Sequence, residues 1–273
     1  MWVGSYIDWN SSKFIQSNFA NVYINNSERF INKLLEAEVR MPAILRIDVD
    51  TAYQNRILNY ARVNKELFLG IDSLGYLKSC KLIADDLFER GITASFFFLP
   101  FTLPSRTFVQ ELMKEGHNVG LHAVHTKEYT DFSADIHRAS KSLGKILGFT
   151  KHGSGRFKLS RSHDPNYNSD KFIDFARMSN LKFFLGNGEN PDEGWQYKDG
   201  VLYFPSAFWL NRNYREDNFT VDWLVKASRD RDVVVLMHPE DVMEGTNLMT
   251  REYERIMGKV EFMPVLQKIE QPV

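Results

Sequence analysis

Asp48 and Asp50 stand two residues apart at the end of the apolar run 43–49, within Arg46-Ile47-Asp48-Val49-Asp50-Thr51. His122 closes a second apolar run, and His125 follows three residues later. His238 closes a third run, Val233-Val234-Val235-Leu236-Met237, and Pro239 comes next. Two imidazoles and a carboxylate are a common ligand set for a divalent metal that keeps coordination positions open. Such a metal acidifies water and polarises a carbonyl, and a second carboxylate beside it can take the water's proton. A further histidine can protonate a leaving group. On this reading Asp50, His122 and His125 are metal ligands, Asp48 is the base and His238 is the acid. Aspartates at strand ends also serve as turn residues and helix caps. The shared position of these groups at strand ends is what favours chemistry.

The elements that must position them alternate in type. Seven short apolar runs, 43–49, 93–99, 118–121, 149–151, 182–185, 201–204 and 232–237, read as buried strands. Between most of them the apolar residues fall at helical spacing. Leu77, Cys80, Ile83, Ala84, Leu87 and Phe88 precede Gly91; Phe108, Leu112 and Met113 precede Gly116. Ile136, Ala139, Leu143, Ile146 and Leu147 predict a helix that stops at Gly148. Phe172, Phe175 and Ala176 precede Asn180, and 222–229 is a further helix. Alternation of this kind implies a mostly parallel sheet covered on both faces. An open doubly wound sheet and a closed barrel both fit the alternation. No Gly-rich phosphate loop follows the first strand, where the two aspartates stand instead. The expectation is therefore a distorted (β/α) barrel of about seven parallel strands. Barrels carry their sites at the strand C-termini, where Lys151-His152 and Gly186-Asn187-Gly188-Glu189 also fall. Residues 1–40, rich in Asn and aromatics, do not join the pattern. They read as an extension with a helix over 27–40, packed on a catalytic domain spanning 41–273.

Composition excludes several classes. Lys plus Arg is 34 and Asp plus Glu is 35 over 273 residues, without the basic excess of a nucleic-acid binder. No run approaches the ~18–20 apolar residues that a membrane helix needs. The first residues lack a charged start followed by an apolar stretch, so no secretory signal is read. Cys80 is the one cysteine; an internal disulfide is impossible, and a cytoplasmic location is expected. Cys80 falls on an apolar helix stripe and reads as core.

The motifs resemble those of the polysaccharide deacetylases, the NodB-homology family. That family's first motif is a strand ending in two acids, here Arg46 to Thr51. Its second follows a Gly-His pair, here Gly116-His117, and matches Gly120-Leu121-His122-Ala123. A late strand ends in Leu-x-His, here Leu236-Met237-His238. Phe96 to Pro100 and the strand leading to Pro205 fall in the family's order. The first two motifs are similar to the branch that deformylates a lipid-linked aminosugar, and the resemblance spans about residues 43–240.

The resemblance implies a hydrolase that removes an N-acyl group, acetyl or formyl, from a sugar or sugar conjugate with zinc or a similar divalent metal. It gives Asp48 as base, Asp50 and His122 as ligands and His238 as acid. Two departures stand out. The family spaces its two histidines four apart, whereas here Thr126 holds that position and His125 precedes it. The family's Arg-Pro-aromatic motif is replaced by the stretch 151–167, from which Lys151, His152, Arg161 and Tyr167 are expected to bind substrate. Its basic residues suit an anionic group such as a phosphate. Two alternatives stay open: a metal-independent amide hydrolase of the same fold, and a sugar-binding protein without catalysis. The oligomeric state is not readable from the sequence.

Overall fold

The protein is described by a computed structural model that covers residues 42–65, 70–153, 162–164, 166–243 and 245–270. All of these belong to the unit 41–273. Residues 1–40, with the helix expected over 27–40, and Arg161 lie outside the described residues.

The strands in chain order are β1 Ala43–Val49, β2 Ser95–Phe98, β3 Asn118–Ala123, β4 Gly148–Lys151, β5 Phe183–Gly188, β6 Gln196–Lys198, β7 Val201–Ser206, β8 Phe208–Trp209, β9 Val234–Met237 and β10 Phe262–Met263. The helices are α1 Arg56–Lys65, α2 Lys78–Glu89, α3 Arg106–Lys114, α4 Tyr129–Leu143, α5 Ser169–Met178, α6 Val221–Asp230, α7 Pro239–Met243, α8 Asn247–Met257 and α9 Val265–Glu270. Several helices start where the sequence supplies a cap. Ser105, Asn168, Thr220 and Thr246 each accept a hydrogen bond from the backbone three residues on.

The sheet runs β6-β7-β5-β4-β3-β2-β1-β9-β8, with β10 also paired to β1. Every pairing is parallel except β6 with β7. The ends of this path meet through the chain itself. β7 pairs with β5, β8 pairs with β9, and only Ala207 separates β7 from β8. One bent stretch thus runs from the second strand of the path to its last. Arg46 gives an independent measure of the curl. β1 and β5 are four strand spacings apart, about 19 Å in a flat sheet. Arg46 nevertheless donates from Nη1 to the Gly186 carbonyl at 2.7 Å, which only a curled sheet allows. The expected distorted barrel is the observed fold.

Two apolar layers hold it, and strand alternation sorts residues between them. Ile44, Phe97, Phe183, Leu185, Phe204, Val234 and Leu236 pack together inside the barrel. Leu45, Ile47, Phe96, Phe98, Leu121, Phe149, Phe184 and Val235 pack outward under the helices. β1 is buried at all seven positions, so its inner face reads Ile44, Arg46, Asp48 toward the C-terminal mouth. The apolar barrel floor gives way to charge at that mouth.

Ten strands stand among the described residues where about seven were expected, several strand bounds move by a few residues, and three differences have a local cause or consequence. The fourth helix ends at Leu143 rather than before Gly148, because Gly144 adopts φ 76° and breaks it. The last long strand begins at Val234, not Asp232. The hairpin β6–β7 was not expected; Asp199 and Gly200, both at positive φ, form its two-residue turn.

Candidate metal centre

Asp50 follows β1, His122 lies on β3 and His152 follows β4, so three parallel strands of one sheet, with β2 between the first two, deliver one side chain each to the same mouth. His122 Nε2 lies 3.1 Å from Asp50 Oδ1. His152 Nδ1 lies 3.3 Å from Asp50 Oδ2 and 3.0 Å from His122 Nε2. These are the three side chains, among the described residues, whose ligand atoms cluster closely enough to share an ion.

The donor set fits a divalent cation on two grounds. Ligand atoms about 2.0–2.1 Å from a tetrahedral zinc stand roughly 3.3 Å from one another, and the three separations here run from 3.0 to 3.3 Å. Asp50 Oδ1 is also buried without a hydrogen-bond donor. A buried, unpaired carboxylate oxygen is costly unless a cation meets it. Burial pushes the Asp50 carboxyl up, but the charges of His152 and His122 outweigh it and hold the group well below the usual carboxylate range. It is anionic, the form in which a carboxylate can meet a cation.

Arg46, wholly buried, fixes Asp48 from two residues away on the same strand face. Its Nε donates to Asp48 Oδ1 at 3.0 Å and its Nη2 to Oδ2 at 2.5 Å. The rest of the guanidinium meets the Leu185 and Gly186 carbonyls and Asn187 Oδ1. Asn187 is itself held, donating from Nδ2 to the Lys151 carbonyl. Burial pushes Asp48 up, and Arg46, then His122, more than offset it, so the carboxyl sits below its ordinary value. Oδ1 takes both Arg46 and Thr150 Oγ1 (3.4 Å), whereas Oδ2 takes only Arg46 among these donors and retains a lone pair.

His238 follows β9 on the far side of Asp50. Its Nε2 is 3.5 Å from Asp50 Oδ2, and its Nδ1 is 3.1 Å from Asp241 Oδ2. Asp241 also accepts the His238 backbone N–H. Burial pushes the imidazole down, yet the Asp241 hydrogen bond and the Asp50 charge raise it to about 10. It carries a proton across the neutral range. Trp209 lies beside it, ring centroids 6.2 Å apart.

The structure thus brings Asp48, Asp50, His122 and His238 together. The third position of the cluster is held by His152, which the sequence reading placed among substrate contacts. His125 lies outside the cluster. Its Nδ1 sits 2.7 Å from Asp135 Oδ1 on α4, and its backbone N–H donates to the same carboxylate. The tight chain path after His122 turns position 125 toward α4. Lys151 alternates to the outer face of β4, where it is buried, donates to the Gly153 carbonyl and lies over the Phe172 ring. Burial lowers its amine to about 8. Tyr167 packs in the outer aromatic layer, its hydroxyl 3.1 Å from that of Tyr203. Sequence reasoning missed Arg46, Thr150 and Asp241. The period-2 face of β1 could have found Arg46, and the helical i, i+3 offset could have found Asp241.

No protein-family model matches the sequence, and no curated protein matches it. Solved structures do. A candidate polysaccharide deacetylase from Mycobacterium smegmatis is similar with a TM-score of 0.55 at 11% identity, over 85% of this chain and 90% of that chain. The polysaccharide deacetylase Bc1974 from Bacillus cereus aligns with a TM-score of 0.45 at 15% identity, over 86% and 96%. A CE4-family pseudoenzyme from Bacillus anthracis aligns with a TM-score of 0.45 at 12% identity over 85% of this chain; the chain spans 66% of that protein's length. At such identities the likeness is one of fold, and it rests on the Mycobacterium smegmatis structure. The fold is the NodB-like barrel of the polysaccharide deacetylases. No helix among the described residues is long and apolar enough to cross a membrane.

Proposed function

We propose that this chain is a metal-dependent deacylase of the polysaccharide deacetylase type, acting on the N-acyl group of a sugar or sugar conjugate. The observation that carries the reading is the Asp50–His122–His152 cluster with its unpaired carboxylate oxygen, at the mouth where such barrels carry their sites. A divalent metal held there, zinc being one that two imidazoles and a carboxylate suit, would supply Lewis acidity and an acidified water.

The chain's own residues do the rest. Asp48, ionised and oriented by Arg46, accepts the water's proton on Oδ2, the oxygen with a lone pair to spare. His238 holds a proton on Nε2, facing the cluster, while Asp241 fixes its Nδ1–H. That proton goes to the departing amine nitrogen. Formyl or acetyl as the acyl group, and a phosphate on the substrate, remain the sequence's expectations. Lys151 is too enclosed to meet a phosphate, and Arg161 is the remaining basic candidate.

The test is release of free amine from N-acetylglucosamine oligomers and from N-formylated aminosugars by zinc-loaded protein. Turnover that falls roughly 10²-fold or more in Asp48→Asn, with metal retained, supports the reading. Turnover that survives both Asp48→Asn and His238→Ala contradicts it. The metal-free and non-catalytic alternatives lack a specific observation in their favour, since neither accounts for Asp50 Oδ1.

A further inference from the structure

Thr150 occupies the inner face of β4, fully buried, directly opposite His122 in the β3–β4 register. Its Oγ1 is 2.6 Å from His122 Nδ1 and 3.4 Å from Asp48 Oδ1. One arrangement of protons satisfies all three groups and leaves the ring nitrogen beside Asp50 free to ligate. Asp48 is anionic and bears no proton, so the hydroxyl donates to it. The hydroxyl oxygen then accepts, and the proton between it and the ring belongs to His122 Nδ1. That leaves the lone pair on His122 Nε2, the nitrogen that faces Asp50 and His152.

From this geometry we infer that Thr150 is a positioning residue for the metal centre: it holds His122 in the Nδ1–H tautomer and presents Nε2 as a ligand. The chain Arg46–Asp48–Thr150–His122 is the outer support of the first histidine ligand, and the parallel register of β3 on β4 builds it. Asp48 so acquires a second task, with Oδ1 anchoring the hydroxyl while Oδ2 faces chemistry. The inference rests on the proposed metal reading of the cluster. Outer partners of ligating histidines fix tautomer and ring orientation, and losing one weakens metal binding by about 10–100-fold.

Thr150→Val keeps the shape and removes the hydroxyl; Thr150→Ser keeps the hydroxyl. Zinc affinity is measured for the metal-free full chain by competition with a chromophoric chelator, beside urea unfolding of each metal-free variant. The expected result is binding about 10-fold or more weaker in Thr150→Val and close to wild type in Thr150→Ser. Unfolding should not rank the variants in the same order. Equal zinc affinity in wild type and Thr150→Val overturns the inference and leaves the metal reading intact. Equal weakening in both variants also overturns it, because a packing role is then sufficient. Absence of zinc binding by the wild type overturns the metal reading, and the inference with it.

Discussion

Replacing Arg46 tests how the barrel holds a charged pair in its interior. Arg46 is fully buried and Asp48 is 2% exposed. Arg46→Met leaves the Asp48 carboxylate uncompensated, a cost of about 3–5 kcal/mol for one partner of a buried pair. It also strips the Gly186 carbonyl and Asn187 Oδ1 of their donor, adding about 1–3 kcal/mol. The single variant should lose about 5 kcal/mol. Asp48→Leu should lose about 3–5 kcal/mol by the converse argument. The double variant keeps neither charge of the pair, and only the orphaned acceptors near β5 cost anything, about 1–3 kcal/mol. The two changes should therefore couple by at least about 3 kcal/mol, the pair being more stable than the sum of the singles predicts. Urea unfolding with a chelator present reads this without metal linkage. Should Arg46→Met not fold, Arg46→Lys keeps the charge but not the bidentate fork, and should lose less than Arg46→Met. Additivity within about 0.5 kcal/mol would refute the reasoning.

Three further outcomes follow from the geometry. Asp241→Asn removes the main support of the raised His238 imidazole; the alkaline limb of kcat against pH, set by loss of the acid's proton, should move from about 10 toward the ordinary histidine value near 6.5. His117 is buried, accepts the Ala94 N–H on Nδ1, and burial lowers its ring to about 4. The unfolded chain then binds the extra proton first, so stability is full above pH ~6.5 and falls by up to roughly 3 kcal/mol as pH drops toward 4; His117→Gln should flatten that slope in urea titrations. Gly148→Ala would bring a Cβ within 2.3 Å of the Phe183 ring in the barrel interior, and overpacking of this kind should cost about 1–3 kcal/mol in urea unfolding.

The barrel was legible because its strands are buried on both faces and read as unbroken apolar runs. β1 appears at 43–49 in sequence and structure alike. The hairpin β6–β7 was carried by Asp199-Gly200, a turn signal strong by itself but flanked by the short, exposed strand Gln196–Lys198, which has no apolar face to show. At the site, the strand-end rule named Asp48, Asp50, His122 and His238, which the structure brings together. It also put His152 at the mouth, but its place beside His122 and Asp50 becomes readable only when β4 is known to lie beside β3. The pairing of His125 with Asp135 depends on how α4 packs on the barrel, which no local spacing encodes. Thr150 depends on register alone: one residue of slip would turn it outward.

The most direct test of the central claim is metal content after zinc loading and gel filtration, compared among wild type, His152→Ala and His125→Ala. The account predicts about one ion per chain in wild type and in His125→Ala, and loss of the ion in His152→Ala. An ion retained by His152→Ala and lost from His125→Ala, or none in the wild type, would contradict it.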